Sequence, residues 1–113
     1  MPFRTSMKPY EGARALAQEY LAVLPTETVY GLGALATSAT AVGRVFTTKN
    51  RPADHPLIAH VLNDEAAIAW VRNVPSFARS LMNEFWPGPM TLVLSRSSRA
   101  ADFITGGQDS VAI

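Results

Sequence analysis

The sequence predicts an α/β fold in which helices pack on a mixed sheet. Stretches with apolar residues three and four positions apart, as one face of a helix requires, alternate along the chain with short apolar runs typical of strands. The 113 residues are 48% hydrophobic and 17% charged, which is typical of a globular protein with a packed core. We therefore expect a single domain over residues 1–113.

The first helix is predicted from Glu11 to Ala22, where Ala13, Leu16 and Tyr20 recur with helical spacing. Pro25 then ends it, since proline lacks the N–H that a helix needs.

A loop and a second helix follow. The segment Thr26–Gly33 mixes hydroxyl residues, β-branched residues and two glycines, and it is interpreted as a strand end that runs into a loop. The second helix is predicted over Ser38–Lys49, with Thr37 or Ser38 as its N-cap.

The middle of the chain begins with a loop between two prolines. Arg51–Pro56 is predicted to be stiff and polar, because each proline restricts its neighbours. Leu57–Leu62 is almost wholly apolar, the pattern of a strand covered on both faces. Asn63 or Asp64 caps a further helix, and Pro75 lies in the first turn of another helix that extends to Phe85.

The last third contains the clearest strand signal. Trp86–Pro89 ends the helix, Met90–Leu94 is predicted as a strand, and a loop rich in serine and arginine leads to a turn at Gly106–Gly107. Ser110–Ile113 begins another strand. Because a chain that stops inside an apolar strand leaves backbone groups unpaired, we expect the domain to be incomplete at its C-terminus.

The charge and composition restrict the classes of function. A net charge of +1 gives no overall field toward nucleic acid, so anion binding must come from a local group of basic residues. The chain has no cysteine, which excludes a disulfide framework and a thiolate metal site. No stretch approaches the ~20 apolar residues of a membrane helix, and we expect a cytoplasmic protein with no membrane partner.

The first candidate site contains Lys49, Arg51, His55 and His60. A guanidinium fits two phosphate oxygens and an ammonium adds a point charge, so a Lys-x-Arg-Pro turn is suited to a polyphosphate. Alternatively, Lys49 complements the negative end of its helix and Arg51 is simply solvated. The residues alone leave both interpretations open.

Two further segments carry weaker signals. The hydroxyls and glycines of Pro25–Gly33 allow close approach to a ligand, but their spacing matches neither a Walker A loop nor a dinucleotide fingerprint, which favours a structural turn. Phe85 and Trp86 are predicted to be core residues, and His60 is predicted to be a hydrogen-bonded core histidine. Which side of its strand Thr91 occupies is undetermined.

Four separated segments nevertheless resemble the YrdC-like threonylcarbamoyl-AMP synthase family. In order along the chain they are Pro25–Gly33, then Lys49–Pro52 with Pro56–Val61, then Phe85–Leu94, and finally Ser110–Ala112. The resemblance extends from about residue 11 to the end of the chain. It implies a YrdC-like, open, twisted mixed sheet with helices packed on it.

The family resemblance also implies an activity. Such enzymes join L-threonine, bicarbonate and ATP into threonylcarbamoyl-adenylate, with release of pyrophosphate, for the t6A modification of tRNA. The implied partners are these substrates and, indirectly, tRNA and its modification transferase proteins. Mg²⁺ would accompany the phosphates, as in most ATP chemistry, and the resemblance implies no metal ligand in the chain.

The resemblance assigns a role to each candidate residue. The catalytic residues, which also hold the triphosphate, are Lys49 and Arg51. Further nucleotide-binding residues are His55, Thr91 and Ala112. Threonine-binding residues are Thr28, His60 and Ser110.

The sequence departs from the family pattern in three places. Asn50 replaces the glycine that is commonest in the Lys-Gly-Arg-Pro form, and His55 stands where an asparagine is usual. The strand that begins at Ser110 normally continues into an Arg-x-Pro-x-His segment, which this sequence lacks.

Two alternatives come from other classes of function. One is a non-catalytic module that binds a nucleotide or double-stranded RNA, which would require a basic face for phosphate contacts. The other is the related carbamoyl-adenylate-forming domain, which uses carbamoyl phosphate and usually lies in a much longer, cysteine-containing chain.

Overall fold

The computed structural model describes Thr5 and residues 8–113. The chain divides into two compact units, Met1–Asn50 and Arg51–Ile113. In the described part of the chain, no helix has the length and apolar character needed to cross a bilayer.

The first unit contains two helices and a β-hairpin. Helix α1 is Pro9–Ala17, strands β1 and β2 are Ala22–Pro25 and Tyr30–Gly33, and helix α2 is Ala39–Lys49. The two strands pair antiparallel, with Val23 opposite Leu32. The buried residues of α2 are Ala41, Val42, Val45 and Phe46, which is the apolar face that the helical spacing predicted.

The predicted end of the first helix at Ala22 is wrong, because α1 ends at Ala17. The N–H of Tyr20 bonds to the carbonyl of Ala15 at 2.9 Å, and Glu19 between them has a left-handed φ of 66°. Such a bond closes a helix end by using a carbonyl that lacks a helical partner. Ala22 instead begins β1, since pairing with β2 satisfies its backbone and overrides the apolar spacing.

Both ends of α2 have a local explanation. Of the two predicted N-caps, Thr37 and Ser38, it is Ser38 that caps the helix, and its hydroxyl accepts the N–H of Ala41 at 3.1 Å. Asn50 follows the last turn with φ 50° and ψ 50°, a left-handed conformation. Glycine and asparagine adopt this conformation most readily. The replacement of the family's glycine by Asn50 therefore preserves the backbone that the turn requires.

The second unit contains three helices and two named strands. The helices are α3 (Asp64–Ala67), followed by a 3₁₀ turn at Ile68–Trp70, α4 (Ser76–Phe85) and α5 (Asp102–Thr105). The strands are β3 (Val93–Ser95) and β4 (Ser110–Ala112). Of the two predicted caps of α3, Asn63 and Asp64, it is Asn63 whose side chain accepts the N–H of Ala66, at 2.9 Å.

The strands of this unit form both parallel and antiparallel pairs, as the predicted mixed sheet requires. Strand β4 lies antiparallel to β3, with Leu94 opposite Val111. On the other side of β4, Ile58 forms a parallel bridge with Ala112, and the N–H of Ala59 bonds to the carbonyl of Ala112 at 2.9 Å. An antiparallel bridge joins Val71 to Arg96 beyond β3.

Three predictions for this unit need correction. Leu57–Leu62 is not a strand covered on both faces, because it forms a single bridge and Ile58 is 51% exposed. The strand predicted over Met90–Leu94 lies further along, at Val93–Ser95. The loop rich in serine and arginine leads into α5, whose four residues are too few to show a helical period.

The loop between the prolines is fixed by its contact with Gly106. The N–H of Leu57 bonds to the carbonyl of Ile104 at 2.8 Å. A Cβ atom at Gly106 would lie 2.3 Å from the carbonyl oxygen of Asp54, so only glycine fits there. Gly106 also has a φ of 65°, a left-handed conformation that side chains disfavour.

We expect Gly106→Ala to destabilise the protein more than Gly107→Ala. Both glycines have positive φ, so each alanine costs about 1–2 kcal/mol in backbone strain. Only at Gly106 would the new methyl group also meet backbone, whereas nothing lies within 4 Å of a Cβ atom at Gly107. Overpacking of this kind adds about 1–3 kcal/mol. The free energies of unfolding in urea give the comparison, and equal losses would contradict the contact with Asp54.

Candidate functional site

Thr28 lies in the loop between β1 and β2. The hydroxyl of Thr26 organises this loop by accepting the N–H groups of Thr28, at 3.3 Å, and Val29, at 3.2 Å. It also donates to the carbonyl of Val29. The loop is therefore held by its own first residue, and the side chain of Thr28 is exposed.

Lys49 is the last residue of α2, and its side chain is exposed. A cation in the last turn of a helix interacts favourably with the partial negative charge of the carbonyl end. Lys49 makes no ion pair with a described residue, so its ammonium is free to interact with an anion as well.

Arg51 and His55 belong to the second unit and lie on the loop between the prolines. Both side chains are exposed. The N–H of His55 bonds to the carbonyl of Pro52 at 3.2 Å, which closes a turn. Among the residues that the structure describes, no carboxylate pairs with Arg51, and the guanidinium therefore keeps its full hydrogen-bonding capacity.

The sheet of the second unit has one buried and one exposed face, because side chains alternate along a strand. The buried face carries Ala59, Leu92, Leu94, Val111 and Ile113. The opposite face, here called the open face, carries Ile58, His60, Thr91, Val93, Ser95, Ser110 and Ala112.

The open face brings four of the predicted site residues together. Ser110 and Ala112 lie on β4, and the exposed His60 and Thr91 lie on the segments that continue from its two neighbours. Ala112 lies between Ile58 on one neighbouring segment and Val93 on the other, and Ser110 lies opposite Ser95. Hydroxyl-bearing, imidazole and apolar side chains thus occur on the same side of the sheet. A face of this kind can bind a ligand with both polar and apolar parts.

Two predictions about core residues are wrong. His60 is exposed on the open face, because the alternation that buries Ala59 directs its neighbour outward. Phe85 is 55% exposed, although Ala78 and Met82 of the same helix are buried. Trp86 is half-buried, and its indole N–H bonds to the carbonyl of Met90 at 2.8 Å, which fixes the turn from α4 toward β3.

Ser95 also lies on the open face, opposite Ser110, although no motif in the sequence pointed to it. The two-residue period of a strand would have placed the side chains of Thr91 and Ser95 on one side, had the strand been extended past Leu94. Among residues 8–113, no group of three His, Asp or Glu side chains is arranged to hold a metal ion.

Comparisons with known proteins agree on one family. The model of the Sua5/YciO/YrdC family, described as telomere recombination, matches residues 14–113. The chain is 50% identical to a threonylcarbamoyl-AMP synthase of Pyrococcus abyssi over 93 residues, and 38% identical to that of Bacillus subtilis over 104 residues. These alignments cover 82% and 91% of this chain, but only 27% and 30% of the relatives.

A solved structure indicates the same family. The crystal structure of Pyrococcus abyssi Sua5 complexed with L-threonine matches with a TM-score of 0.85 and 43% identity, over 96% of this chain and 33% of that chain. The predicted α/β class is thereby confirmed. The chain thus spans about a third or less of each of these proteins. Since the family model matches nearly the whole sequence, the chain belongs to the Sua5/YciO/YrdC family.

Proposed function

We propose that this chain takes part in the ATP-dependent synthesis of threonylcarbamoyl-adenylate from L-threonine and bicarbonate. The observation that carries the proposal is the open face, on which Ser110 and Ala112, assigned by the family resemblance to threonine and to the nucleotide, lie two residues apart on β4. The names of the relatives support it, since both aligned proteins are threonylcarbamoyl-AMP synthases. The complex of the Pyrococcus protein with L-threonine supports the amino-acid substrate.

Threonine is assigned to three hydrogen-bonding residues. His60 and Ser110 offer an imidazole and a hydroxyl on the open face, and Thr28 offers an exposed hydroxyl in the hairpin loop. Groups of this type bind the carboxylate, the amine and the hydroxyl of an amino acid.

The nucleoside part of ATP is assigned to Thr91 and Ala112. Because Ala112 has only a methyl group, a ligand can approach the backbone of β4 closely between the larger Ile58 and Val93. Thr91 adds a hydroxyl on the same face.

The phosphates are assigned to Lys49 and Arg51, with His55 near the nucleotide. The two cations are separated by one residue, and the backbone around them is restricted by the left-handed Asn50 and by Pro52. A charge-assisted hydrogen bond from a preorganised cation is about twice as strong as a neutral one.

The proposed reaction proceeds through a carbamate. The threonine amine and bicarbonate combine with loss of water, and a carbamate oxygen then attacks the α-phosphorus of ATP. The bond from the α-phosphorus to the bridging oxygen breaks, and pyrophosphate leaves with the electron pair. Charge builds up on the leaving phosphates, so Lys49 and Arg51 act by electrostatic stabilisation and by holding the reactants in line.

Mg²⁺ is proposed only as a companion of the triphosphate. This ion is usually bound by substrate phosphates, water and one or two carboxylates. The described residues do not present a cluster that fits a resident metal, so no residue of this chain is assigned to it.

The proposed product serves the t6A modification of tRNA, through transferase proteins that receive threonylcarbamoyl-adenylate. A net charge of +1 offers little general attraction for tRNA, which favours this indirect role. We place the reaction in the cytoplasm. A single domain over residues 1–113 remains a prediction.

We expect pyrophosphate release to require ATP, L-threonine and bicarbonate together. The assay measures pyrophosphate from the chain with each substrate omitted in turn. Release that depends on carbamoyl phosphate would favour the carbamoyl-adenylate chemistry. Salt-sensitive RNA binding without any pyrophosphate release would favour a binding module.

We expect Lys49→Ala and Arg51→Ala each to weaken ATP binding by about tenfold or more, because each removes a charge-assisted hydrogen bond to phosphate. Isothermal titration with ATP measures the change. Arg14→Ala is the matched control, since Arg14 is an exposed cation on α1 and its loss lowers the net charge equally. A folded Arg51→Ala variant with unchanged affinity would contradict the assignment.

We expect Ala112→Leu to weaken ATP binding while the fold is retained. The added side chain would extend from the open face and occupy the space between Ile58 and Val93, without entering the buried face. Titration with ATP and thermal unfolding measure the two effects. If ATP binds normally to Ala112→Leu, the nucleotide does not use this part of β4.

A further inference from the structure

The second unit has a pocket beside α5. Its volume is about 480 Å³, and its lining residues include Arg72, Arg96, Ser97, Ser98 and Asp102. This volume lies within the ~300–1,000 Å³ that is usual for small-molecule sites. The proposed synthesis assigns no role to any of these residues.

The backbone holds the two sides of this pocket together. The N–H of Arg72 bonds to the carbonyl of Ser95 at 2.8 Å, and the N–H of Ser97 bonds to the carbonyl of Trp70 at 3.1 Å. The hydroxyl of Ser97 donates to the carbonyl of Ala69 at 2.5 Å. These bonds keep the segment of Arg72 beside the segment of Arg96.

Arg96 is oriented by three acceptors. One terminal nitrogen, Nη1, donates to Asp102 at 2.7 Å, to Thr105 at 2.9 Å and to the carbonyl of Ala100 at 3.1 Å. The side chain is 25% exposed. A guanidinium has five N–H donors, so the groups on Nε and Nη2 need other partners. The described residues supply none, and Arg96 lines the pocket.

The remaining polar groups of the pocket are open to a ligand. Arg72 and Ser98 are exposed, and neither side chain bonds to a described residue. Asp102 is already engaged by Arg96. Two guanidinium groups and one carboxylate leave a net charge of +1 at the pocket.

We propose that this pocket binds a small phosphate-bearing molecule. Two guanidinium groups that line the same pocket match the several oxygens of a phosphate, and their planar forks favour bidentate contacts. The pocket is larger than inorganic phosphate alone requires, and the rest of its volume accommodates an organic part. The site shares no residue with the open face or with the Lys49 and Arg51 turn, and it is independent of the proposed synthesis.

Arg72 provides the decisive test, because it is exposed and its replacement should not disturb the fold. Inorganic phosphate and phenyl phosphate are titrated into the chain at constant ionic strength, and amide chemical shifts are followed by NMR. We expect saturable shifts at Arg72 and over residues 96–102. Arg72→Gln should weaken phosphate binding by about tenfold, since it removes one charge-assisted contact.

Arg99→Gln is the matched control. The guanidinium of Arg99 lies 5.1 Å from the centre of the Trp70 ring, and Arg99 does not line the pocket. The phosphate-induced shifts at Arg72 and over residues 96–102 should be unchanged in Arg99→Gln and in Lys49→Ala/Arg51→Ala, because neither variant changes a residue that lines this pocket. Equal weakening by Arg72→Gln and Arg99→Gln would overturn the proposal, as would loss of the shifts in the double variant.

Acetate separates phosphate recognition from general anion binding. We expect acetate to bind more weakly than phosphate, because it offers fewer oxygens to two guanidinium groups. Acetate that binds as tightly as phosphate would contradict the proposed ligand class. Chemical shifts that change linearly with phosphate concentration, without saturation and over the whole surface, would show that the chain has no specific phosphate site.

Discussion

The pairing of β4 on both of its edges is the constraint on which the second unit depends. The strand joins β3 on one side and the segment around Ile58 on the other, so residues far apart in sequence share one register. Because side chains alternate along a strand, this register decides at once which face is buried and which is open. A shift by one residue would bury Ser110 and Ala112 and expose Val111 and Ile113.

The turn that carries the proposed phosphate-binding cations depends on backbone restraints rather than on side-chain pairing. Asn50 supplies a left-handed residue after α2, and the loop that follows is held by Gly106, where a side chain would meet the carbonyl of Asp54. Lys49 and Arg51 are therefore exposed but carried by restricted backbone. Less conformational entropy is lost on binding when the groups that meet a ligand are restrained beforehand.

Both proposed anion sites depend on a local concentration of charge in a nearly neutral protein. The net charge is +1, yet cations lie close together in sequence at Lys49 and Arg51, and across the sheet edge at Arg72 and Arg96. The second pair differs in kind, because Asp102 and Thr105 orient Arg96 through one nitrogen. Such local arrangements suit small anions, whereas a long polyanion requires an extended basic face.

The sequence by itself determined the α/β class, the stop after Phe85 and the family, since these depend on local residue patterns, and it limited the caps of α2 and α3 to two neighbouring residues each. The predictions from sequence were wrong about the end of α1 and about the burial of His60 and Phe85, and they did not include α5. Only the tertiary structure decided that His60, Thr91, Ser110 and Ala112 share one face and that Arg72 lies beside Arg96. Those relations arise from backbone pairing between distant segments, and a strand of three residues is too short for its own sequence to reveal which side is covered.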